Sequence, residues 1–135
     1  MISHPTRLIL AAAILALCGT PALAQEHRLD TPAYKQCIAP GVSGAGEAQC
    51  NYAELARQDA VLNEVYQAIM SATGVPARRT ALRDGERAWI KHRDQVCGHA
   101  GDDFAGGSEQ PAMVAGCTLS ETERRILYLR SLPAD

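Results

Sequence analysis

Residues 51–72 read NYAELARQDAVLNEVYQAIMSA, and within them Tyr52, Leu55, Asp59, Leu62, Tyr66 and Ile69 step by threes and fours. That spacing places all six on one face of an α-helix, because 3.6 residues complete a turn. Neither Gly nor Pro interrupts the stretch; Asn51 suits its N-cap, and Gly74 ends it. Pro76 fits the first turn of a second helix. There Leu82, Gly85, Trp89 and Val96 share a face with Arg93 beside it, as far as about Cys97. Only residues 73–75 connect the two helices, so they are predicted to be antiparallel neighbours with Cys50 and Cys97 at the same end.

Gly85 costs a helix about 1 kcal/mol relative to Ala, a penalty expected where another helix backbone passes close by. Residues 98–116 hold five glycines, two adjacent aspartates and Pro111, the composition of a long surface loop. A third helix follows, capped by Thr118 or Ser120 with Glu121 or Glu123 as the capping-box acid. Leu119, Ile126 and Leu129 make its apolar stripe. Upstream, residues 25–46 contain Pro32, Pro40 and a Gly-rich run from Gly41 to Gly46, which reads as an irregular arm. No internal repeat, heptad array or charge block stands out. One Trp, one Phe and four Tyr in 135 residues leave the core to Leu, Ile, Val and Ala, favouring packed helices over an aromatic-rich sheet. The expected fold is all-α: an antiparallel helical hairpin plus a third packed helix.

Arg7, the apolar run over residues 8–17 and Ala22-Leu23-Ala24 before Gln25 have the order of a signal peptide. Cleavage there gives a signal of residues 1–24 and a helical domain of residues 25–135, exported to the periplasm or secreted. The apolar run is shorter than the roughly 20 residues that span a bilayer, so no membrane insertion is expected after cleavage. Cys18 raises lipidation, but Leu17 stands where a lipoprotein signal has a small residue. Removal of Cys18 leaves Cys37, Cys50, Cys97 and Cys117, an even number in an oxidising compartment, hence two disulfides. Sequential pairing, Cys37 with Cys50 and Cys97 with Cys117, pins each loose segment to a helix end and contributes roughly 3 kcal/mol per bridge. Nested pairing remains geometrically open. No C-x-x-C spacing supports structural zinc.

Across residues 25–135 the net charge is −3, a poor basis for binding nucleic acid, which needs a basic surface. Asp59 lies on the apolar stripe, where an unpaired carboxylate is costly. Counting antiparallel from the cysteine end sets it opposite Trp89 and Arg93, whose indole or guanidinium is expected to donate to it. Trp89 reads as a core anchor, and Thr122 and Arg125 as hydrogen-bonding to the hairpin. His92, His99, Asp102 and Asp103 lack the one-turn spacing of helical metal sites, so no metal or other cofactor is expected. Glu86, Asp94 and His99 are candidate acid–base groups without a nucleophile motif, since Gly106-Gly107-Ser108-Glu109 is not a G-x-S-x-G elbow. The chain reads as a binding protein, not an enzyme.

Asp59-x-x-Leu62-Asn63-x-x-Tyr66, then Arg87-Ala88-Trp89-Ile90-x-x-Arg93-Asp94-x-x-Cys97, then Gly106-Gly107-Ser108, and finally Cys117 with Thr122-x-x-Arg125, occur in this order. Together they resemble the LprI-like lysozyme-inhibitor domain family over about residues 34–132. The resemblance implies a small helical, disulfide-stapled envelope protein whose partner is a lysozyme or other wall hydrolase. A lysozyme is typically cationic, and an acidic domain is steered toward it. Residues 98–116 are the long segment available to enter a cleft, with His99, Asp102, Asp103 and Ser108 as expected contacts. The alternative is an envelope interaction or immunity-type protein that binds another secreted partner through the same loop.

Overall fold

The computed structural model describes residues 30–133; the expected signal peptide and Cys18 lie outside them. These residues form α1 (Pro32–Cys37), α2 (Ala45–Ala72), α3 (Pro76–Gly98), a 3-10 turn (Asp102–Phe104) and α4 (Gln110–Ser131), with no strand among them. The fold is all-α, and its disulfides are Cys37–Cys50 and Cys97–Cys117, the sequential pairing.

The hairpin of α2 and α3 is antiparallel but splayed, because α4 packs along both helices. Against α3 it runs antiparallel: Cys97 bonds Cys117 at one end, and Arg78 Nη2 donates to the Pro133 carbonyl at 2.6 Å at the other. Against α2 it runs parallel, with Asn51 Nδ2 donating to the Ala112 carbonyl at 3.2 Å and Leu62 packed on Ile126 and Leu129.

The seam between α2 and α4 has a period that the apolar residues alone conceal. Ala48, Asn51, Leu55, Gln58, Leu62, Val65 and Ile69 advance by alternate threes and fours along α2, and Ala112, Ala115, Leu119, Thr122, Ile126 and Leu129 do so along α4. This is the spacing that keeps one seam facing a neighbouring helix, so a short heptad pattern is present after all. Asn51 and Gln58 are buried on α2 and Thr122 on α4. The stripe expected from Tyr52, Leu55, Asp59, Leu62 and Tyr66 is therefore rotated away from the true seam: Tyr52 is 50% exposed, and the Asp59 side chain 47%.

Two apolar clusters flank the polar middle of the seam. One joins Tyr34, Cys50 and Leu119, with Ile38, Val42 and Leu55 against it; the other joins Leu62, Ile126 and Leu129, with Val65, Ile69 and Trp89 among its neighbours.

Helix ends differ from expectation in three places. The arm contains α1, where Thr31 caps by accepting the Tyr34 N–H at 3.2 Å and Pro32 takes the first turn. Asn51 is an interior residue of α2, whose cap is Gly44 at φ 55°. A Cβ at Gly44 would lie 3.0 Å from Ser108 Oγ, so this glycine serves both a left-handed backbone and a close approach. The third long helix begins at Gln110, not near Thr118, whose hydroxyl bonds back to the Val114 carbonyl at 2.9 Å. No helix backbone crosses Gly85, whose nearest neighbour would be Arg125 Nη2 at 3.9 Å. Close approach occurs instead at Gly101, where a Cβ would stand 2.8 Å from the Gln110 carbonyl oxygen.

Candidate functional site

With α4 starting at Gln110, the long loop shortens to residues 99–109, closed at its base by Cys97–Cys117. His99 Nδ1 lies 3.0 Å from Asp102 Oδ2, and a chain of turns follows. The Phe104 N–H donates to the Gly101 carbonyl at 3.0 Å, and the Gly107 N–H to the Phe104 carbonyl at 2.8 Å. Gln110 Oε1 accepts the Gly106 N–H at 3.0 Å. These bonds hold the loop in one shape while Asp102, Asp103 and Phe104 stay exposed. The expected contacts His99, Asp102, Asp103 and Ser108 are all exposed, Ser108 close to Gly44 of the α2 cap. His92 is exposed on α3, and no group of three or more His, Cys, Asp or Glu among the described residues is placed to hold a metal ion.

The residues expected to be structural meet where α3, α4 and α2 converge. Arg125 of α4 donates from Nε (2.9 Å) and Nη2 (2.8 Å) to Glu86 Oε2. Its guanidinium carbon stands 5.4 Å from the Trp89 ring centroid and 5.0 Å from that of Tyr128. Arg93 lies 5.1 Å from the Trp89 centroid and donates to Asp94 Oδ1 from Nε and Nη2. Cations and rings thus alternate through Tyr128, Arg125, Trp89 and Arg93, an arrangement favoured by the ring quadrupole. Thr122 departs from expectation: its hydroxyl bonds the Thr118 carbonyl of its own helix at 2.9 Å.

Arg93 is the charge facing Asp59, at 3.9 Å and therefore as an ion pair without a hydrogen bond. Burial holds the Asp59 carboxyl above its usual value despite the opposing field of Arg93. The pair bridges α2 and α3 beside a groove of about 360 Å³, lined in part by Asn63, Tyr66, Gln67, Arg83, Arg87 and Ile90. Tyr66 is half-buried there.

The sequence reading missed the polar seam of α2, where Glu54 is fully buried. Its carboxylate accepts from Thr31, Arg57 and Gln58. Burial alone pushes this carboxyl up, but those donors outweigh it and hold the group below its ordinary value. The signal that could have found this seam is the three-four spacing of Asn51 and Gln58 with Leu55 and Leu62.

Comparison with known proteins places this geometry. The family described as Lysozyme inhibitor LprI matches residues 37–129, from the first bridging cysteine to the end of the α4 core. An uncharacterized protein of Rhizobium meliloti (strain 1021) is 29% identical over 134 residues, covering 90% of this chain and 91% of its own. No solved structure matches. With the match spanning well over half of its length, the chain belongs to the LprI lysozyme-inhibitor family.

Proposed function

We propose that this protein is an exported, non-enzymatic inhibitor of a lysozyme or related wall hydrolase, acting through the loop of residues 99–109. The observation that carries the reading is the build of that loop. Two adjacent aspartates and an exposed Phe104 stand on a segment fixed by a disulfide at its base and by turn hydrogen bonds along its length. A pre-shaped loop loses little conformational entropy on binding. Its carboxylates complement a cationic enzyme and would speed encounter. Family membership supplies the partner class. The expected contacts are His99, Asp102, Asp103 and Ser108, all exposed on this loop.

Turbidity of a wall suspension under lysozyme, with and without oxidised residues 25–135, tests this reading. Dose-dependent protection is expected, and Asp102→Lys with Asp103→Lys should weaken it at low salt while leaving the fold intact. No protection at large molar excess from the folded protein would reject inhibition.

A further inference from the structure

The groove between α2 and α3 lies apart from the loop and presents a different chemistry. Its acids already face cations: Glu86 is paired with Arg125, and Asp59 faces Arg93 at 3.9 Å. Arg83 and Arg87, one turn apart on α3, remain as surplus positive charge on one wall. Arg83 donates to the Thr80 hydroxyl at 3.3 Å; Arg87 has Asp84 at 3.9 Å, with both side chains well over half exposed. Contacts that loose leave both guanidinium groups open to a carboxylate.

The facing wall repeats the spacing with carboxamides. Asn63 and Gln67 stand one turn apart on α2, both exposed, and each side chain donates and accepts hydrogen bonds at once. Hydroxyl and acetamido groups need such partners. Ile90, 40% exposed, supplies apolar surface between the walls, and Trp89 lines the groove beneath the guanidinium of Arg93. From Asp59 to Gln67 the groove runs about 12 Å along α2, and its volume of about 360 Å³ falls in the usual range for small-molecule sites.

We infer that this groove binds a carboxylated sugar: a pyranose ring lying on Ile90 beside the guanidinium-covered Trp89, its hydroxyl and acetamido groups bonded by Asn63 and Gln67, and its carboxylate held by Arg83 and Arg87. The site does not depend on the inhibitor reading, because none of its residues belongs to the loop.

Trp89 is the sole tryptophan, so its fluorescence reports occupancy in the oxidised full-length domain without any lysozyme present. Titration with N-acetylmuramic acid should give a saturable change, with a Kd on the order of 1 mM or tighter. N-acetylglucosamine, which lacks the carboxylate, should bind about tenfold more weakly, as should the carboxylated sugar with the Arg83→Ala/Arg87→Ala variant. Both substitutions are on the surface, and unchanged circular dichroism and Tm would certify the fold. Asn63→Ala/Gln67→Ala should weaken binding of both sugars. Equal affinity for the two sugars, binding indifferent to loss of both arginines, or no saturable change would each overturn the assignment. A dialanine peptide that binds while the sugar acid does not would overturn it in favour of a peptide carboxylate. Turbidity protection is read separately, so failure of the groove and failure of inhibition are distinguishable.

Discussion

Glu54 holds Thr31 with both carboxylate oxygens, Oε1 accepting its backbone N–H at 3.1 Å and Oε2 its hydroxyl at 2.6 Å. The same hydroxyl accepts the Tyr34 N–H, so one buried acid of α2 fixes the cap of α1 and with it the N-terminal arm. Arg57 Nε and Gln58 Nε2 complete a set of donors around an acceptor-only group. Glu54→Gln would turn an amide N–H against those donors. The expected loss is about 1–3 kcal/mol, measured by urea unfolding of the oxidised protein, with m unchanged.

Acid stability should carry the same signature. A carboxyl held below its ordinary value of 4.5 binds fewer protons folded than unfolded, so its contribution is full above that value and disappears as pH falls through the lower native value. Glu54→Gln should flatten the acid limb of a Tm-against-pH profile. An unchanged slope would mean that the donors do not stabilise the charged form.

Asp59 works in the opposite sense. Its carboxyl is raised from 3.8, with burial the leading cause and Arg93 opposing it. The folded state therefore binds the proton more tightly, and stability tied to this group decreases as pH rises from 3.8 through the raised value. Asp59→Asn should leave Tm at pH 7 level or slightly higher and make acid loss steeper. A large fall in Tm at neutral pH would show that the Arg93 pair outweighs desolvation.

Arg125 joins Glu86 through two N–H groups while standing over Trp89 and Tyr128. Lysine reproduces the charge but not the planar fork or the stack. Arg125→Lys should cost about 1–2 kcal/mol and change the Trp89 emission spectrum. In a double-mutant cycle, Arg125→Lys with Glu86→Gln should be non-additive.

Gly101 is buried against the first turn of α4, with no room for a Cβ beside the Gln110 carbonyl. Gly101→Ala should cost about 1–3 kcal/mol and loosen the loop, visible as faster amide exchange at residues 102–107. Gly98→Ala, where nothing lies within 4 Å, is the neutral control.

Pro76 marks the start of α3 because its fixed φ and missing N–H suit a first turn, and the cysteines pair sequentially, each bridge closing the irregular segment between its two cysteines onto a helix end. The seam was hidden because hydrophobic periodicity treats Asn51, Glu54 and Gln58 as solvent-facing. They are buried because they find partners: the Tyr34 hydroxyl and Ala112 carbonyl for Asn51, and Thr31 for Glu54. The N-terminal turns of α4 were hidden because Gly116 and Pro111 read as loop residues. Pro111 sits in the first turn, and Gly116 leaves room for Asn51 Nδ2, which would be 3.3 Å from a Cβ there. Of the site, the stapled loop was visible in composition. The groove was not, since it arises from the splay of α2 and α3 around α4.

Both disulfides fasten the same end of the bundle, where α2 begins and α3 finishes. At the opposite end, the 73–75 turn and the last turn of α4 are held by packing and by contacts such as that of Arg78 with Pro133. The molecule is a bouquet tied at the stems. Its opening motions should begin at the untied end and die out toward the cysteines, giving hydrogen exchange a gradient along α2 and α3. Reduction would remove the tie and level that gradient, so the redox state of the compartment sets how far the helices breathe.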